Sequence, residues 1–202
     1  MIPEPAKERL LYLMRLLEGH GGETITSAEA ELLTGWSSHT IRKDISYLPG
    51  DEAMGNNAGY APDILIPAIR KALHLERQRR LCVVGLGRLG SAYLNFPGFK
   101  TEEYELVAGF DINVNRVEIL KSPVPLYPVY KAPDIIRRFS IETALLCVPA
   151  DAAQEAAEKL VDAGIRGILN FAPVALKVSR DVMVRNVNVV DELRALSVRL
   201  DV

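Results

Sequence analysis

A continuous apolar run, Leu81-Cys82-Val83-Val84, leads directly into Gly85-Leu86-Gly87-Arg88-Leu89-Gly90. A G-x-G-x-x-G hexapeptide alone is a weak signal, but between a buried strand and the start of a helix it constrains the backbone severely. The first glycine permits a tight turn, the second lets a pyrophosphate approach the backbone, and the third lets helix and strand pack closely. The unpaired N–H groups at the helix start then hold phosphate oxygens.

The chain that follows has the matching texture. Leu106 to Phe110, Val124 to Leu126, Ala144 to Val148 and Ile165 to Leu169 read as further strands, with helices between them, the clearest over residues 152–163 before Gly164. Strand–helix alternation over about 120 residues means a doubly wound parallel sheet. Asp111 closes the second strand, 21 residues after Gly90 and next to Ile112. An acid there accepts hydrogen bonds from adenosine ribose hydroxyls. A 2′-phosphate in that place meets like charge and no evident cationic partner, so NAD(H) is expected over NADP(H). Cys147-Val148-Pro149-Ala150 and Asn170-Phe171-Ala172-Pro173 follow two later strands. Ligands on such sheets bind beyond the strands' carboxyl ends, which makes both turns candidates for the nicotinamide end. The alternative is that both prolines simply start loops.

Composition removes several classes of function. With 202 residues, 49% hydrophobic and 25% charged, the chain can build a real core. No apolar run approaches the roughly 20 residues of a membrane span. The opening Met1-Ile2-Pro3-Glu4 has neither a basic region nor an apolar signal core, so a cytoplasmic location and no membrane partner are expected. Cys82 and Cys147 sit in apolar runs and read as buried thiols, and no C-x-x-C or His/Cys cluster points to a metal. Net charge is −2, with 8 Lys/Arg against 11 Asp/Glu over residues 1–78 and 16 against 15 over residues 79–202. That excludes a broadly basic nucleic-acid binder, so any DNA contact must come from a local patch.

Such a patch is present in the helical N-terminal segment. Ala6, Leu10, Leu13, Met14 and Leu17 recur at helical spacing in a first helix. Thr26 and Glu29 form a capping box for a short second helix ending near Leu33. Thr34-Gly35-Trp36 makes a tight turn, and Ser37 or Ser38 caps a third helix running to about Tyr47. Two short helices joined by a glycine-containing turn suggest a helix-turn-helix. With Ile41, Ile45 and Leu48 inward, His39, Arg42, Lys43 and Ser46 face out and Tyr47 lies at the edge. Arg can pair bidentately with guanine in a major groove, and Lys can meet phosphate. An ordinary solvated helix face is the competing reading. Residues 51–61 look like a loop or wing, a further helix covers Ile64 to Leu73, and residues 76–80 read as a linker.

Catalysis is not expected. His20, His39 and His74 all lie before the nucleotide-binding half. Tyr127 and Lys131 have the Y-x-x-x-K spacing of short-chain dehydrogenases, but Pro128 argues against the helix that would align them.

Together the residues resemble the Rex family of redox-sensing transcriptional repressors. The resemblance rests on Ile2-Pro3, Thr40-Ile41-Arg42-Lys43-Asp44-Ile45-Ser46-Tyr47, Gly59-Tyr60, residues 85–92, Phe110-Asp111, Val148-Pro149 and residues 167–173. It implies a winged-helix DNA-binding domain over residues 1–76 and a Rossmann NAD(H)-binding domain over residues 77–188. A C-terminal helix over residues 189–202 would be exchanged between the subunits of a homodimer. It also implies operator double-stranded DNA as a partner, met by Ser38, His39, Thr40, Arg42, Lys43, Ser46 and Tyr47, and a DNA complex released by NADH. Three positions depart from the family pattern. The wing, Asp51 to Tyr60, is longer and acidic and carries no cation, and Phe96 and Asn188 stand where tyrosine and aspartate are common. The last two changes imply a weakened redox switch. They leave open a second reading, an NAD(H)-binding paralogue with lost or altered DNA binding and redox response.

Overall fold

The computed structural model describes residues 2–21, 24–50, 59–99 and 103–200. The chain divides into two units, residues 1–77 and 78–202.

In the first unit, Pro3 starts α1 (Glu4–Glu18), whose Ala6, Leu10, Leu13, Met14 and Leu17 are buried. Pro5, in the first turn, is tolerated because a helix's first N–H groups have no intrahelical partner. The capping box of α2 (Ser27–Thr34) is complete: Thr26 Oγ1 accepts from the Glu29 N–H, and the Glu29 carboxylate accepts from the Thr26 N–H at 2.7 Å. The Thr26 N–H and the Thr26 hydroxyl both donate to the Glu29 carboxylate, at 2.7 and 2.8 Å, and hold its carboxyl below its usual range. Ser37, not Ser38, caps α3 (Ser38–Ile45), accepting from the Thr40 N–H. The third helix is shorter than its sequence suggests. It stops at Ile45 because Ser46 turns its hydroxyl back onto the Lys43 carbonyl at 2.7 Å and Tyr47 enters a turn. Helix α4 (Pro62–Ala72) begins two residues before the apolar period, with Pro62 in its first turn. Ile41 and Ile45 pack with Leu10, Leu13, Leu65 and Ile69 in one apolar cluster.

Ile25 and Tyr60 form an antiparallel bridge through both backbone hydrogen bonds, at 3.0 and 2.8 Å. Tyr60 is thereby tied to the segment that leads into α2. The acidic part of the expected wing, residues 51–58, lies outside the described residues.

The second unit is a six-stranded sheet: β1 (Arg79–Val84), β2 (Tyr104–Asp111), β3 (Leu126–Pro128), β4 (Thr143–Leu146), β5 (Gly167–Asn170) and β6 (Met183–Asn186). The order is β3-β2-β1-β4-β5-β6, and every pairing is parallel. The helices are α5 (Arg88–Leu94), α6 (Val114–Ile119), α7 (Ala132–Phe139), α8 (Ala150–Ala163) and α9 (Val189–Leu200). Alternation along β1 sends Cys82 and Val84 to the face covered by Ile136, Ala153, Ala157 and Leu160, and Leu81 and Val83 to the face holding Leu86 and Leu94. Both faces are buried, so the strand reads as a continuous apolar run.

Strand boundaries depart from expectation: β2 begins two residues earlier, β3 lies two residues further on, β4 ends before Cys147, and β5 begins at Gly167 rather than Ile165. β6 was not expected, because this exposed edge strand carries no apolar run. Arg79 and Arg80 belong to β1 and not to a linker.

Candidate dinucleotide site and nucleic-acid interface

Strand order reverses beside β1, whose neighbours β2 and β4 carry the chain to opposite edges. At that point the turn after β1 rests on the turn after β4. Gly85 has φ +88°, and a Cβ there would lie 2.7 Å from the Cys147 carbonyl oxygen. The Cys147 N–H donates to the Val84 carbonyl and the Gly85 N–H to the Phe110 carbonyl, both at 2.8 Å. At Gly90 a Cβ would lie 1.9 Å from the Gly85 carbonyl oxygen, so α5 packs directly on the turn. At Gly87 a Cβ would meet nothing within 4 Å. The three glycines thus divide into a turn, an open approach and a close packing contact.

A groove of about 570 Å³ opens over these turns. Of the residues expected at the cofactor, it is lined by Gly85, Gly87, Leu89, Asp111, Ile112, Cys147, Val148, Pro149 and Phe171. Leu86, Arg88, Gly90, Asn170, Ala172 and Pro173 are not among its lining. Leu86 and Ala172 are buried in the core. Asn170 lies on β5 rather than in the turn, fully buried, and its amide is committed within the protein. Its Nδ2 donates to the Val174 carbonyl and to Asn186 Oδ1, and its Oδ1 accepts from the Ala172 N–H. It shapes the turn that carries Phe171.

Asp111 is 3% exposed. Its Oδ2 accepts from the Leu86 N–H at 2.6 Å and from Arg116 Nη1 at 2.9 Å, and its Oδ1 from the Asn113 N–H at 2.7 Å. The sequence expectation of no cation near this carboxylate is therefore corrected. Arg116 reaches it because Asn113 caps α6, accepting from the Arg116 N–H, and so sets the helix direction. From α8, Ala152, Ala156 and the ion pair Glu155–Lys159 (2.6 Å) also line the groove. Lys159 holds the Glu155 carboxyl below its usual range.

The opposite end is apolar. Burial pushes both Cys82 and Cys147 up to about 12, so both remain neutral thiols near pH 7. Phe171 packs on Tyr93 at 5.0 Å between ring centroids, and Tyr93 in turn meets Phe96 and Phe99. Phe96 is half-exposed, and Asn188 Oδ1 accepts from the Val190 N–H at the start of α9. Sequence reasoning did not single out Arg116 or Tyr93. The one available signal for Arg116 was a cation one helical turn past a strand-end acid.

On α3, His39, Arg42 and Lys43 are exposed, with Ser38 and Thr40 half-buried. Ser46 is exposed and Tyr47 half-buried just past the helix end. The Arg42 guanidinium donates to the Ser38 carbonyl at 3.1 Å. Behind this face Asp44, 4% exposed, takes a two-pronged ion pair from Arg9 of α1 at 2.6 and 2.9 Å. Asp44 raises the Arg9 guanidinium further above its already high range, through the hydrogen bond first. Tyr127 and Lys131, the dehydrogenase-like spacing, share no α-helix, since Tyr127 is on β3 and Lys131 ends a short 3₁₀ turn.

A sheet of order 3-2-1-4-5-6 with its groove at the reversal, in one chain with a helix-turn-helix, defines a nucleotide-binding transcriptional regulator. Residues 76–174 match the CoA binding domain family, and the whole chain is similar to the redox-sensing transcriptional repressors Rex of Thermus thermophilus and Listeria welshimeri. The chain belongs to the Rex family of redox-sensing transcriptional repressors. Identity to the Thermus protein is 40% over 211 residues, covering 97% of this chain and 92% of that one. For the Listeria protein it is 32% over 200 residues, covering 96% and 91%. The crystal structure of RSP, a Rex-family repressor, superposes with a TM-score of 0.86 at 32% identity, covering 100% of this chain and 94% of that one. RSP in complex with β-NAD+ and operator DNA superposes with a TM-score of 0.87 at 32% identity, covering 100% and 93%.

Proposed function

We propose that this chain binds NAD(H) in the groove and operator double-stranded DNA through α3, and that the cofactor's redox state governs the DNA complex. One observation carries the reading: the open Gly87 approach and the Asp111 carboxylate lie in a single groove at the strand reversal. Structures of RSP with β-NADH, and with β-NAD+ and operator DNA, support it. NAD+ and NADH share their phosphates and riboses, so only the nicotinamide end can tell them apart. A ligand shifts a two-state equilibrium only through differential affinity. The groove end at Cys147, Val148 and Phe171 is uncharged and apolar. It disfavours the cationic oxidised ring relative to the neutral reduced one.

Fluorescence anisotropy on genomic fragments selected by the protein tests this. Sequence-specific binding with NAD+ that NADH releases is expected. Cofactor binding without any selected fragment would favour the paralogue reading, for which the acidic Asp51 and Glu52 speak. Within a selected complex, Arg42→Ala should cost about 1–3 kcal/mol and relax specificity at one base pair. Lys43→Ala should weaken all sequences evenly and lower the salt slope by about one.

A homodimer is part of the proposal. Val189, Leu193, Leu196 and Leu200 on α9 are each more than half exposed. So wide an apolar stripe requires a covering surface, and a second copy of the chain is the proposed one. Deleting residues 189–202 should convert a dimer into monomer or aggregate in light scattering, whereas a soluble dimer after deletion would place the interface elsewhere.

A further inference from the structure

Resting on the dinucleotide reading above, we infer that Arg116 sets cofactor selectivity by occupying the Asp111 carboxylate that the adenosine ribose must use. Two carboxylate oxygens offer about four acceptor sites. Three are taken, by the Leu86 N–H, the Asn113 N–H and Arg116. A ribose presents two adjacent hydroxyl donors, so one existing donor must leave. Leu86 and Asn113 donate through fixed backbone, whereas the Arg116 side chain is 44% exposed and free to withdraw into water. Arg116 is therefore the displaceable occupant.

The same geometry changes what a 2′-phosphate meets. Its oxygens only accept, and Asp111 alone would repel them. Arg116, held over the carboxylate by the Asn113 cap, neutralises that charge and offers a guanidinium suited to phosphate. This chain should therefore prefer NADH over NADPH by less than Asp111 alone would impose.

Calorimetric titration of the full-length protein with NADH and with NADPH tests the assignment. Arg116→Gln should raise the ratio of the NADPH to the NADH dissociation constant by on the order of tenfold. Arg116→Lys, which keeps the charge but loses the planar fork, should give a ratio between those of wild type and the Gln variant. An unchanged ratio in the Gln variant, with NADH still bound, overturns the role of Arg116 and leaves the dinucleotide reading intact. Loss of NADH binding in a folded Gln variant also overturns it, by making Arg116 a cofactor ligand. Failure of the wild-type protein to bind either dinucleotide removes both.

Discussion

Replacing Gly90 with alanine should destabilise the nucleotide-binding unit by about 3 kcal/mol or more and abolish dinucleotide binding. The added Cβ would lie 1.9 Å from the Gly85 carbonyl oxygen, 3.0 Å from its carbon and 3.2 Å from Val83 Cγ1. Two of these atoms are backbone in the turn itself, so relief requires α5 to move away from β1. That movement would also displace the N–H groups facing the groove. Gly87→Ala is the matched control, because its Cβ would meet no atom within 4 Å and its φ of −67° suits any residue. It should change stability by less than about 0.5 kcal/mol. It should still weaken NADH binding by on the order of tenfold, since the methyl would stand where the pyrophosphate approaches. Thermal unfolding and calorimetric titration of the two variants separate the roles. Equal stability of the two would remove the packing assignment at Gly90.

Arg9→Ala carries the second large effect, expected at about 2–3 kcal/mol of stability together with loss of DNA binding. It would strand the Asp44 carboxylate, 4% exposed, without its partner. Breaking a buried pair typically costs about 3–5 kcal/mol. The expected figure is smaller because the Arg9 side chain is 28% exposed and water can reach the site. Arg9 and Asp44 clamp α1 to α3, so the loss should also disorient the face bearing Arg42 and Lys43. Trp36, the single tryptophan, packs edge-on to Tyr12 at 5.4 Å and reports denaturation of this unit. The double variant Arg9→Ala with Asp44→Asn should lose less than the two single losses combined, which is the signature of direct coupling. Strict additivity would mean that the pair does not act as a clamp.

Features resting on near neighbours were legible in the sequence. The run Leu81 to Val84 with the three glycines located β1, its turn and α5, because strand period and turn chemistry depend on adjacent residues. Thr26 with Glu29 located the start of α2 for the same reason. Asp111 was placed by spacing alone, since one α/β unit consumes a characteristic length of chain. β6 escaped because Met183, Arg185 and Asn186 are exposed and the strand exists only through pairing with β5.

Tertiary structure decided which of the correctly located residues are available to a ligand. Asn170 was in the right neighbourhood, but Asn186 and Val174 occupy its amide once β5 and β6 pair. Arg116 is only five residues from Asp111, yet its hold on the carboxylate depends on the angle at which Asn113 launches α6. Arg9 and Asp44 stand 35 residues apart and meet only across packed helices. The physical reason is one of range. Secondary structure follows from propensity and period within a turn or two of chain. Whether a polar group is free for chemistry depends on hydrogen-bond partners that long-range packing brings to it.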